Sequence, residues 1–272
     1  MIKVCGGLRP KEGTASNAVV SLVAHKLGGV TQSRDAPLPK NCDLYVQHGW
    51  KLTPALQEAM DSLIPYIALD SGYFDPRGST FSISINGFHG LSMPVDVTGL
   101  PERPKPELQP WRAGGEFVYV FGQLTGDRAV RGQNMETWPN ITARQAAEAY
   151  GLPVRIRPHP FTISSWEEPL PPLSKVWPEC AVAVTWTSSV GVQAIVAGVP
   201  SVALHPASPI CVVAAPSFGI ERPDREAWQH ELSYRQYGFT ELDAAKAYIL
   251  HAYEPPADAA SRDEYDRAGL RV

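Results

Sequence analysis

Asp70 is the residue whose type and setting most readily do chemistry. It closes the apolar run Ile64–Leu69 and is followed by Ser71 and Gly72, so its carboxylate stands where a strand meets a turn. A carboxylate there can take a proton from a hydroxyl nucleophile. It can equally stabilise a Ser-Gly turn. His48 and Tyr73 fall at the same level, the carboxyl ends of predicted strands, where open α/β sheets bind their ligands. Tyr73 and Arg77 can position an acceptor, although Asp75-Pro76-Arg77-Gly78 also reads as a plain turn. His89 lies in the glycine-rich loop Asn86-Gly87-Phe88-His89-Gly90.

A second set of groups suits a phosphate. His159 lies between Pro158 and Pro160, just after a strand on which Arg155 and Arg157 share the face opposite Ile156. It can donate to a ligand phosphate or cap a rigid loop. Gln123, Thr125 and Asp127 follow another strand and can cradle a diphosphate or remain solvated. Ala181–Pro206 reads as strand, polar turn, helix, Gly-Val-Pro turn and strand. Thr187, Ser188 and Ser189 stand where that helix begins, and hydroxyl side chains and free N–H groups at a helix start welcome anions. Gln193 lies one turn into the same helix.

The elements that must position these residues alternate along the chain. Ile2–Cys5 predicts a first strand, Gly6–Gly13 a loop and Thr14–Leu27 a helix. Asp43–Gln47 predicts a strand, and Thr53 caps a helix that starts at Pro54. Thr80–Ile85 alternates polar and apolar residues, as an edge strand does. The pattern restarts with a strand at Phe117–Phe121, a helix at Ile141–Tyr150 closed by Gly151, and a strand at Val154–Arg157. Arg225–Tyr237 and Glu241–Tyr253 read as amphipathic helices. Strand–helix alternation predicts parallel α/β sheets. The proline-rich stretch Pro94–Pro110 predicts a linker. The expected division is therefore an acceptor-side Rossmann-like domain over 1–110, a donor-binding one over 111–252, a cleft between them, and a polar tail over 253–272.

Composition narrows the function classes. The chain has 272 residues, 44% hydrophobic and 19% charged, which describes a globular protein. A net charge of −4 gives no basic signature for non-specific nucleic-acid binding, so a DNA ligand would need a local track. Arg103, Lys105, Arg112, Arg128 and Arg131 are the candidates, diluted by Glu102, Glu107 and Glu116. The four cysteines, Cys5, Cys42, Cys180 and Cys211, form no C-x-x-C pair and read as buried free thiols. No signal-peptide core or apolar run of membrane length is present, so the expected location is cytoplasmic. The sequence lacks a G-x-G-x-x-G after the first strand, a Walker A loop, a G-x-S-x-G elbow and metal-ligand spacing. No metal and no cofactor are expected.

Three segments together carry a resemblance. DLYVQHGW…IPYIALDSGYFDPRG at 43–78, RIRPHP at 155–160 and TWTSSVGVQAIVAGVPSVAL at 185–204 resemble, in order and spacing, the two-domain GT-B glycosyltransferases of the capsule polysaccharide type, including the Kdo transferases. They look closer still to small phage-encoded relatives. Asn86–Gly90 is similar to an "NGLNG" piece of that group, and Asp224–Trp228 with Leu232–Gln236 to its C-terminal helix. The resemblance implies a nucleotide-sugar co-substrate, with His159 and Thr187–Ser189 on its phosphate and Gln193 near the nucleoside. Gln193 stands where the group usually has Glu, and Ser71 where the capsule enzymes often have a second acid. It also implies metal-independent transfer by Asp70 to an acceptor hydroxyl. A hydroxymethylated pyrimidine in phage DNA is the first acceptor expected, in the host cytoplasm, and a surface glycan the alternative. A sugar-nucleotide epimerase, or a nucleotide-binding protein of this fold without catalysis, remain the rival classes.

Overall fold

A computed structural model of the chain describes residues 2–11, 13–74, 79–130, 132–163 and 169–253. The described chain forms two compact units, residues 2–104 with 230–253 and residues 105–229. Residues 230–253 group with the first unit, so the chain passes between the units twice. The expected tail lies, from residue 254 onward, outside the described residues.

The first unit opens with β1 (Val4–Leu8), α1 (Ala15–Lys26), β2 (Val30–Ser33), β3 (Leu44–His48), α2 (Pro54–Asp61), β4 (Tyr66–Ser71) and β5 (Thr80–Ile85). The second unit carries β6 (Phe117–Phe121), α3 (Trp138–Tyr150), β7 (Val154–Arg157), α4 (Leu173–Val176), β8 (Cys180–Thr185), α5 (Val190–Val196) and β9 (Ser201–Ala203). The division then falls inside α6 (Glu226–Ser233), and β10 (Gln236–Gly238) and α7 (Leu242–Ala252) return to the first unit.

The first sheet has the order β10-β5-β4-β3-β1-β2. Its strands β2, β1, β3 and β4 are parallel, whereas β5 runs antiparallel to both β4 and β10. The second sheet has the order β7-β6-β8-β9 and is parallel throughout. Counted within each unit, both sheets begin in the order 2-1-3-4. The order in which strands are added therefore reverses between the first and third strands, which marks the crevice where such folds hold ligands.

Local signals account for much of this. Thr14 and Thr53 cap α1 and α2 through their hydroxyls, and Pro54 takes the first helical position of α2. Gly151 adopts the left-handed conformation that closes α3. Other features come from packing. Strand β1 runs on through Gly6 and Gly7, which were expected in a loop. A side chain at Gly6 would stand 3.0 Å from Ala24 of α1, and one at Gly7 would meet the Tyr45 phenol. Both glycines thus let neighbours close over the strand.

β5 is not an edge strand. It lies between β4 and β10, and Ser82 and Ser84 are as buried as Ile83 and Ile85. The expected helix over Arg225–Tyr237 ends at Ser233, and its last residues form β10 instead. Pairing with β5 buries Tyr237 against Phe81 and Tyr248. Burying an aromatic side chain of this size is worth about 2 kcal/mol, which outweighs one further turn of helix.

In the second unit, Gly198 has φ +76 and carries the turn from α5 into β9. A Cβ there would also meet the Pro110 carbonyl. Gly198→Ala is expected to cost about 2 kcal/mol or more, because left-handed strain adds to a backbone clash. Urea unfolding of the variant against the parent measures it.

Candidate functional site

The first unit gathers its chemistry at the carboxyl ends of β1, β3 and β4. His48 ends β3 and pairs in register with Leu69, so Asp70 lies one residue beyond on the neighbouring strand. Arg9 follows β1 and its Nη2 lies 3.2 Å from His48 Nδ1. These two residues therefore meet over the switch point. Arg9 drew no attention in the sequence because a lone arginine after a strand has no local signature; only strand order brings it to His48.

Asp70 sits among donors. One carboxylate oxygen accepts the Ser71 N–H at 2.7 Å, and the other lies 3.4 Å from His89 Nε2. Burial by itself would raise its pKa, since desolvation opposes charge. The contact with His89, the charges of His89 and His48, and the Ser71 N–H outweigh burial and hold it at about 2. About a quarter of the side chain, 26%, stays exposed, so the carboxylate is restrained without being covered.

His89 and Tyr73, expected to contact an acceptor, are instead almost fully buried, at 7% and 1% exposure. The Tyr73 hydroxyl lies 2.8 Å from His89 Nδ1, and burial raises the phenol pKa. The His89 ring is also packed against Phe88, which stacks on Trp50. His89 has φ +47, a left-handed conformation that costs a side-chain-bearing residue roughly 1–2 kcal/mol. Its N–H donates to Ser84 Oγ at 2.9 Å, and its carbonyl accepts from Arg235 at 3.1 Å. The polar face of β5 is thus the floor of this cluster, which explains why that face is buried.

The chain after α6 pins the same cluster. Gln236 Oε1 accepts the backbone N–H of Tyr73 and, at 2.7 Å, that of Phe74. Arg235 pairs with Glu231 while it holds the His89 carbonyl. The sequence reading missed both positioning roles. Their only local trace is the resemblance of Leu232–Gln236 to a family helix. Arg77 lies outside the described residues.

The donor-side residues of the sequence reading all belong to the second unit. Gln123 after β6 and Thr187 after β8 meet over its switch point, but they satisfy each other. The Thr187 N–H donates to Gln123 Oε1 at 2.8 Å, Gln123 Nε2 donates to Thr187 Oγ1 at 3.0 Å, and Thr187 Oγ1 donates to the Ala129 carbonyl at 3.2 Å. Both are buried, so their first duty is to tie β6 to β8. The expected hydroxyl cap of α5 is corrected as well. Ser189 holds the cap position in a helical conformation, without a side-chain cap bond among the described residues. Ser188 Oγ accepts the Val190 N–H at 3.3 Å.

Ser188, Ser189, Gln193 and Arg157 remain half-buried, the condition in which a side chain can serve a ligand. Burial lowers the Arg157 pKa. His159 is buried, and its Nδ1 accepts the Phe161 N–H at 3.2 Å, so the ring caps its own turn. Arg155 is engaged with Glu179 at 2.6 Å and Tyr119 at 3.0 Å.

Arg103 is likewise committed. It bonds Glu241 at 2.8 Å and the Gln236 carbonyl at 2.9 Å, and lies 4.4 Å from the Tyr237 ring centre. Arg131 and the Arg128 side chain lie outside the described residues. All four cysteines are free; Cys5, Cys42 and Cys180 are buried, and Cys211 is half-buried. Among the described residues, no group of three or more His, Cys, Asp or Glu side chains is placed to hold a metal ion. No helix among them is long and apolar enough to cross a membrane.

Comparison with solved structures finds the same architecture elsewhere. The KpsC β-Kdo 2,4 transferase of Thermosulfurimonas dismutans superposes with a TM-score of 0.55 at 13% identity, over 92% of this chain and 98% of that one. The KpsC β-Kdo 2,7 transferase of the same organism gives 0.49 at 10% identity, over 93% and 99%. No family model and no curated protein matches the sequence. The first of these likenesses gives the chain a Kdo-transferase-like, Rossmann-like α/β fold.

The lowered Asp70 pKa has a consequence for stability. A depressed folded-state value means that the charged carboxylate stabilises the fold above its unfolded pKa, and that this contribution fades as pH falls towards about 2. Asp70→Asn is therefore expected to cost of the order of 2 kcal/mol at pH 7. The gap should narrow below pH ~4 and close near the folded-state value. Urea titrations of both proteins across that range measure it.

Proposed function

We propose that the protein is a glycosyltransferase that moves a sugar from a nucleotide-sugar to an acceptor hydroxyl. The observation that carries this reading is a charge-stabilised, partly exposed Asp70 at the carboxyl end of β4, in a fold shared with a Kdo transferase. In the reaction, the acceptor oxygen forms a bond to the anomeric carbon while the bond from that carbon to the donor phosphate breaks. The nucleotide leaves with the electron pair.

Asp70 is ionised throughout the physiological range, and its affinity for a proton is low. Its role is therefore to orient the acceptor hydroxyl by accepting its hydrogen bond, and to favour positive charge developing at the sugar carbon. It is a poor final store for the proton, which passes to the departing phosphate or to water. On the donor side, Arg157 supplies a cationic partner for the phosphate, with Ser188 and Ser189 as hydroxyl donors and Gln193 towards the nucleoside. His159 sets the turn beside Arg157. Fixed cationic and hydroxyl donors do the charge-balancing work, so we read the transfer as metal-independent.

The acceptor we favour is a saccharide hydroxyl. The net charge of −4 and the internal commitments of Arg103 weaken the case for a DNA-binding track.

The test is to incubate the protein with a panel of nucleotide-sugars and measure released nucleotide. Saccharide acceptors and hydroxymethylated DNA form separate arms. Nucleotide release that depends on a saccharide supports the reading, and release that depends on DNA restores the other acceptor. Asp70→Asn is expected to lower turnover by at least about a hundredfold while leaving nucleotide binding intact. Full activity in that variant removes Asp70 from the mechanism.

A further inference from the structure

We infer that His89 is a positioning residue for Asp70, held by Tyr73 in the ring tautomer that presents its proton from Nε2 to the carboxylate. The consequence for turnover rests on the glycosyl-transfer reading; the tautomer does not.

One buried ring makes two contacts. Nδ1 lies 2.8 Å from the Tyr73 hydroxyl, and Nε2 lies 3.4 Å from Asp70 Oδ2. An ionised carboxylate only accepts, so Nε2 must carry a proton to be attracted to it. In a neutral ring Nδ1 is then the acceptor, and the Tyr73 O–H must point at it. The opposite tautomer would set two lone pairs against each other at Asp70.

The charged and titratable groups that face His89 come from every element around it. They are Asp70 on β4, Tyr73 beyond it and Arg235 ahead of β10, with His48 acting on Asp70 and Glu231 on Arg235. The ring cannot easily turn away. Its backbone is held at both the N–H and the carbonyl, at φ +47, and Phe88 packs on its face. The two contacts also differ in kind. The short one anchors the ring on a buried phenol, and the longer one restrains Asp70 while leaving part of the carboxylate for an acceptor hydroxyl. Asn also tolerates the left-handed backbone but cannot bridge both partners, so this position separates backbone fit from side-chain chemistry.

The decisive measurement is the ring ¹⁵N spectrum of the full-length protein at neutral pH. Nδ1 should be unprotonated and Nε2 protonated, and Tyr73→Phe should release that preference. A carboxyl ¹³C titration should show the Asp70 midpoint rising towards the ordinary carboxylate range in His89→Asn. In the nucleotide-release assay, His89→Asn should lower kcat about tenfold to a hundredfold, the worth of one polar contact to a charged group, with donor KM little changed. A wild-type ring protonated at Nδ1 overturns the inference, as does an unmoved Asp70 midpoint in folded His89→Asn. If that variant fails to fold, the wild-type tautomer and its response to Tyr73→Phe decide. The predicted tautomer in a protein that releases no nucleotide leaves this inference standing and removes the glycosyl-transfer reading.

Discussion

A carboxylate that stays charged at the end of a buried strand must be compensated by donors, and in the first unit that demand organises the structure around it. Asp70 loses solvent on β4, and the Ser71 N–H, His89 and His48 restore what desolvation takes away. His89 serves from a left-handed backbone and is gripped by Ser84, Arg235 and Tyr73. Those groups are themselves buried and need partners, which carries the requirement outwards to Gln236 and Glu231. A polar network of this depth stabilises only when it is nearly complete. The cost of a gap explains why a segment from the far end of the chain is recruited to close it.

The second unit meets the same topological situation with neutral chemistry. Its strand order also reverses between the first and third strands, yet the groups that meet there are an amide and a hydroxyl that satisfy each other. Gln123 and Thr187 therefore act as a tie between β6 and β8. In the same unit, Arg157, Ser188, Ser189 and Gln193 are half-buried. One unit thus holds a fixed charge and the other a set of donors.

The sequence by itself determined the elements whose signals are local. A buried strand needs only its apolar run, and a helix end only its cap, so β3, β6, α2 and the close of α3 stand where Thr53-Pro54, Gly151 and the valine-rich runs put them. The likeness to Kdo transferases was legible in the same way, from motifs that each span a few residues. Asp70 was legible because a carboxylate beside a turn is visible without a partner.

What only the tertiary structure decided depends on residues that meet across long stretches of chain. β10 exists because β5 offers it a partner and a place for Tyr237, so a stretch that reads as helix becomes a strand. Tyr73 and His89 carry the types expected of acceptor contacts, but the packing of Ser84, Phe88 and Gln236 turned them inwards, towards Asp70. Thr187 and Gln123 became each other's partners because strand order placed β6 beside β8. Arg9 met His48 for the same reason on β1 and β3. Hydrogen bonding and desolvation act over a few ångströms, and residues tens of positions apart come that close only once the strands have paired.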